Sequence, residues 1–218
     1  MAKEYTAAQL DLQRRFETVP LAETLARVSV RSEFNERDVE FIRARDMFFL
    51  ATVDANGQPT CSYKGGDPGF VRVVDSRTLL FPLYDGNGMF LSAGNVTETS
   101  SVGLLFIDFE TPRRLRVEGR AALASAATAG ERFPEACAVV RVDVHSIFGN
   151  CPRYIHTYRR LQASRYVPRE GQATPFAQWK RIDEYQAALP PRDAGQAARH
   201  GGTLTREEYL EKLSRGDA

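Results

Sequence analysis

At 218 residues, with 29 Lys and Arg against 28 Asp and Glu, the chain has a formal net charge of +1. No basic run stands clear of its acidic neighbours, which argues against a nucleic-acid partner. Nothing approaches the ~18 consecutive apolar residues of a membrane span, and a composition 43% hydrophobic and 26% charged is that of an ordinary globular protein.

Met1-Ala2-Lys3-Glu4-Tyr5 lacks the apolar core of a secretory signal. The three cysteines, Cys61, Cys137 and Cys151, form no CxxC pair. A reducing cytoplasm is therefore the expected location, without structural disulfides or a cysteine metal site.

Residues 6–18 predict a first helix capped by Thr6, with Leu10, Leu12 and Phe16 apolar among polar neighbours. Pro20 can open a second, with Leu21, Leu25 and Val28 on one face. Asn35 can cap a third, in which Val39, Phe41, Ile42 and Ala44 make an apolar stripe. Met47–Val53 is an apolar run too short for a buried helix, so it reads as a buried strand. Asp54-Ala55-Asn56-Gly57 turns the chain back into a partner strand over Thr60–Lys64, with Cys61 expected as a small buried hydrophobe. Phe70–Val74 and Thr78–Phe81 form another pair, Met89–Thr97 a short helix, and Ser101–Phe109, Arg113–Ala124 and Ala136–Ile147 further strands. Strands this close together with one helix between them predict a small antiparallel barrel rather than repeated parallel crossovers. Beyond residue 150 prolines break the chain repeatedly. Trp179–Ala188 reads as a helix, residues 189–202 as a mobile linker, and Thr205-Arg206-Glu207-Glu208 as the capping box of a last helix.

The chemistry concentrates between Met47 and Ala121. Gly86-Asn87-Gly88 leads into a helix, where free backbone N–H groups make a ready anion site, although the same residues also serve as a plain turn. Lys64 ends a strand beside Gly65-Gly66, placed either to meet a ligand or to face solvent. Arg114 and Arg116 share one strand face and could clamp an anion. His145, His156 and His200 have no partners at ligand spacing, so no metal site is expected. The Gly-x-Ser-x-Gly turn of a serine hydrolase is absent.

Taken in order, Phe48–Pro59, Ser62–Val73, Gly86-Asn87-Gly88 with Ser92–Val96, Val102–Phe109 and Leu115–Ala121 resemble the pyridoxamine 5′-phosphate oxidase-related family of FMN-binding split barrels. Gly149–Ile155 also resembles the segment that follows the barrel there. The resemblance implies a mainly β fold, a six-stranded antiparallel split barrel with flanking helices, and FMN held between two subunits of a homodimer. It further implies a flavin-dependent oxidoreductase acting on a small molecule or taking electrons from a reduced nicotinamide. Carried over by position, Ser62, Tyr63 and Lys64 would face the flavin. Asn87, Gly88, Met89 and the turn from Ser92 to Asn95 would lie near its phosphate, with Arg114 or Arg116 coming from the later strand. Oxidases of the vitamin pathway carry Ser-Arg-Lys where this chain has Phe90-Leu91-Ser92, and their Trp- and Arg-bearing substrate segment has no counterpart here. A substrate other than vitamin B6 phosphate is therefore expected. A non-catalytic flavin or haem carrier or sensor, and a ligand-free dimeric scaffold, are the alternative readings. The expected organisation is helices over 1–46 packed on the barrel, the barrel over 47–150, and a helical or irregular extension over 151–218. That extension, with its lone Trp179, is expected to pack across the dimer or cover the flavin rather than form its own core.

Overall fold

The computed structural model describes residues 4–125 and 132–217, so residues 1–3, read above for a leader, lie outside them. Helix α1 spans Ala7–Arg15, and its capping box joins the Thr6 side chain to the Gln9 backbone and the Gln9 side chain to the Thr6 backbone. Helix α2, Val19–Val28, carries Pro20 in its first turn, where the missing N–H costs nothing. Helix α3, Glu36–Arg43, is capped by Asn35 and puts Phe41 and Ile42 into the core. Its Asp38 returns a bond to the Asn35 N–H and grips Arg31 with both carboxylate oxygens.

Among the described residues seven strands follow: β1 Met47–Val53, β2 Pro59–Gly65, β3 Arg72–Asp75, β4 Thr78–Leu83, β5 Ser101–Asp108, β6 Arg113–Ala124 and β7 Ala138–Gly149. Helix α4, Leu91–Glu98, interrupts them between β4 and β5. They form one sheet in the order β2-β1-β5-β6-β7-β4-β3, and every pairing is antiparallel. The count is seven rather than six because the short β3, broken by an irregularity after Val73, still pairs with β4 as an edge.

The sheet is curled. β1 and β4 lie four places apart in the order, which in a flat sheet would be about 19 Å. Yet the Phe48 and Phe81 rings meet edge-on at 5.0 Å. Phe106 at 5.2 Å and Phe70 at 5.9 Å complete the cluster around Phe48. Alternate residues of β1, β5, β6 and β7, among them Leu50, Leu104, Val117 and Val142, fill the interior. Cys61, paired with Ala51, falls on the other face and is exposed, which corrects the expectation of a buried thiol.

The chain divides into two compact units, residues 1–163 and Ser164–Ala218. The second has its own small interior, contrary to expectation, in which Ile182, Ala197 and Leu204 are buried and the Lys180 ammonium meets Asp193 at 2.8 Å. Trp179–Ala188 is not one helix. Ile182 is extended (φ −59°, ψ 129°) and splits it into two 3₁₀ turns, Gln178–Arg181 and Asp183–Ala188. Residues 189–202, expected as a mobile linker, supply the buried Asp193 and a short helix α5, Gln196–Arg199. Helix α6, Arg206–Ser214, opens on the predicted capping box of Thr205 and Glu208. Among the described residues no helix is long and apolar enough to cross a membrane.

Candidate functional site at the edge of β2

The register of β2 decides which of its side chains can work together. Thr60, Ser62 and Lys64 stand opposite Thr52, Leu50 and Phe48, so they share the interior face. Tyr63 stands opposite Phe49 and points the other way. It is 62% exposed and its ring meets that of Phe49 edge-on at 6.1 Å. Burial pushes the Tyr63 phenol up, with Asp46 adding to the shift and Arg160 opposing it.

Helix α4 lies over this edge and is pinned by hydroxyls. Asn95, buried, donates its side-chain N–H to Thr52 Oγ1 at 3.0 Å and to Thr60 Oγ1 at 3.4 Å, and the two threonines meet at 2.8 Å. One turn earlier, Ser92 Oγ lies 3.2 Å from Ser62 Oγ. Asn95 is thus committed to holding the helix, whereas Ser62 and Ser92 are only partly buried. The helix starts at Phe90, held in the left-handed region (φ 50°), and no side chain caps it. Its first N–H groups therefore lack an intrahelical acceptor and a capping one.

Lys64 sits two residues beyond Ser62 on the same face. It is half-buried, and desolvation lowers its pKa from the ordinary 10.5. Among the described residues no hydrogen bond or ion pair reaches its ammonium. Asn87 and Met89 form a self-contained turn ahead of the helix, the Asn87 Oδ1 accepting from the Met89 N–H at 3.1 Å, with Gly88 at φ 78°. Met89, Phe90 and Leu91, each more than half exposed, make an apolar lip at the helix entry.

The two arginines go elsewhere. Arg114 and Arg116 alternate with the buried Leu115 and Val117, hence on the outer face of β6, three strand spacings or about 14 Å along the sheet from β2. Arg116 lies over the Phe148 ring at 5.9 Å, and Arg114 donates to the Cys151 carbonyl at 3.0 Å. The fold therefore gathers Ser62, Lys64, Ser92, Asn95 and the start of α4. It puts Tyr63, Arg114 and Arg116 on the outer face of the sheet instead.

Two features escaped sequence reasoning. Thr52 and Thr60 hold α4, but a β-branched polar residue in a strand carries no sign of its partner. Tyr158 returns from beyond β7 to Phe109, its N–H bonding the Phe109 carbonyl at 3.0 Å and the rings meeting edge-on at 5.5 Å. With Tyr63 and Arg160 it lines a cavity of about 530 Å³ on the outer side.

A curled antiparallel sheet with helices on its flanks is the architecture of a split barrel. The chain belongs to the Pyridoxamine 5′-phosphate oxidase family, whose profile matches residues 34–148, more than half of it. No curated protein matches. Among solved structures, HupZ of Group A Streptococcus is similar at 22% identity over 53% of this chain and 93% of its own, with a TM-score of 0.43. A candidate pyridoxamine 5′-phosphate oxidase of Lactobacillus delbrueckii is 25% identical over 54% and 95%, also at 0.43. An FMN-binding protein of Syntrophomonas wolfei is 13% identical over 64% and 95%, at 0.36.

Proposed function

We propose that this chain is an FMN-binding flavoprotein, with the flavin phosphate held at the edge of β2. The observation that carries the reading is Lys64, a half-buried cation with no partner among the described residues, beside an uncapped helix start. A phosphate there returns to the ammonium what burial takes away. The Ser62 and Ser92 hydroxyls, which now face one another, can turn to donate to it, and the first N–H groups of α4 add the favourable end of the helix dipole. Family membership supports the same cofactor.

Bound FMN would supply the redox chemistry, and the chain's part is to bind, orient and exclude water. We further place the flavin between two copies of the chain. The exposed Met89, Phe90 and Leu91 and the outer face around Tyr63 leave apolar surface that a second copy would cover. The reaction proposed is oxidoreduction of a small molecule, or acceptance of electrons from a reduced nicotinamide.

The purified protein, reconstituted with FMN, should show the bands of oxidised flavin. No flavin band after reconstitution would overturn the reading, and a Soret band would replace flavin with haem. Lys64→Ala should weaken FMN binding by about 1–3 kcal/mol, roughly five- to 150-fold, in a fluorescence titration. Unchanged affinity would remove Lys64 from the phosphate site. Anaerobic addition of NADPH or NADH separates an oxidoreductase, whose flavin bleaches, from a carrier, whose flavin does not.

A further inference from the structure

At the end of β6 where Arg113 begins it, a second cavity of about 320 Å³ opens beneath α3, lined by Arg31, Arg37, Arg113, Arg114 and Asn150, with Asp38 its one carboxylate. Asp38 is spoken for, since both its oxygens hold Arg31 and one also accepts from the Asn35 N–H. That leaves three guanidiniums around one small void. Arg37 is exposed and makes no hydrogen bond or ion pair among the described residues. Arg113 lies over the Phe41 ring at 4.8 Å and has no acidic partner there. Arg114 bonds the Cys151 carbonyl through one terminal nitrogen only.

An independent observation concerns two residues of its lining. The Nε of Arg114 is buried with no acceptor, and the Oδ1 of Asn150 is buried with no donor. Burying a charged donor unpaired is expensive, and so is crowding like charges. One occupant answers all three demands if it brings negative charge, several acceptor oxygens and one hydrogen to give. A carboxylate offers two oxygens and one charge, enough for a single guanidinium fork, and has no hydrogen to give to Asn150. A phosphate group offers more of each, and its P–OH, or a neighbouring hydroxyl on an ester, can donate to Asn150. The volume sits at the lower end of ligand pockets, which suits a compact molecule rather than a nucleotide.

The geometry points to an oxyanion-binding cavity for inorganic phosphate or a small phosphate monoester, separate from the β2 edge. It is built by α3, the start of β6 and the turn after β7.

The test is calorimetric titration of the full chain with sodium phosphate, glycerol 3-phosphate and acetate at constant ionic strength. It is run on the native sequence and on Lys64→Ala, so that phosphate bound at the proposed flavin site is told apart. Saturable binding of phosphate or the ester that survives Lys64→Ala, exceeds that of acetate, and weakens about tenfold or more in Arg37→Ala is the expected result. Which of the two phosphate probes binds tighter identifies the source. Arg37 is exposed and outside the capping box of α3, so its loss leaves the fold intact, as circular dichroism can check. Arg114→Lys, which keeps the charge but removes Nε, should weaken binding as well. Absence of saturable binding, equal binding of acetate, or binding unchanged in both Arg37→Ala and Arg114→Lys would overturn the proposal. Loss of phosphate binding in Lys64→Ala alone would assign the ion to the β2 edge and leave this cavity to water.

Discussion

Lys64 carries its charge into surroundings that disfavour it, and the sign of the consequence can be worked out. Burial holds its pKa below 10.5 in the folded chain, so between the folded and unfolded values the unfolded chain binds more protons. Stability should therefore rise with pH across that interval, with the penalty for burying the charge fully present below it. Lys64→Met removes the penalty. Its apoprotein should be no less stable than the native chain at neutral pH, and urea unfolding up to pH 10.5 should show the native chain gaining on it. A parallel pH dependence for both would mean that Lys64 is solvated. Asn95 poses the opposite case, a polar side chain that the fold uses for support. Asn95→Ala removes two hydrogen bonds to Thr52 and Thr60, which still keep each other. A loss of about 1–2 kcal/mol is expected in denaturant unfolding.

At the scale of elements, β6 depends on one glycine. A Cβ added at Gly119 would lie 2.6 Å from the Asp143 carbonyl oxygen, at the point where the β6–β7 register shifts. The obstacle is backbone, which cannot swing aside as a side chain can. Gly119→Ala should cost about 1–3 kcal/mol, the scale of overpacking, read as a lower thermal midpoint. Most elements were legible beforehand for local reasons. Asn35 and Asp38, three residues apart before an apolar stripe, announce α3, and Thr205 with Glu208 announces α6. Trp179–Ala188 misled because its composition suits a helix, while the chain bends at Ile182, which is buried. Strand alternation itself was legible too, and it separates Tyr63 from Ser62 and Lys64.

At the scale of the molecule the open question is the second copy. If two chains meet over the outer face of β1 and β5, then Leu105, paired with Phe49 on one side and Arg116 on the other, lies within the contact. Sedimentation velocity of the native chain should give twice the chain mass. Leu105→Arg should shift it to one chain mass and reduce FMN binding with it. A native chain that sediments as a monomer while binding FMN would dismiss the shared site.

The sequence by itself determined the family, the antiparallel strands and the helix caps at Thr6, Asn35 and Thr205, because caps, periodicity and short motifs are local. Only the tertiary structure decided how those pieces are shared out. Packing of α4 against the sheet brings Ser92 to Ser62, on the strand face that Lys64 shares, while Asn95 is drawn into support. Strand order sets Arg114 three strands from β2, where the turn after β7 folds back to it and two more arginines join it. Which side chains become neighbours depends on pairing between strands far apart in the chain, and no local pattern encodes that.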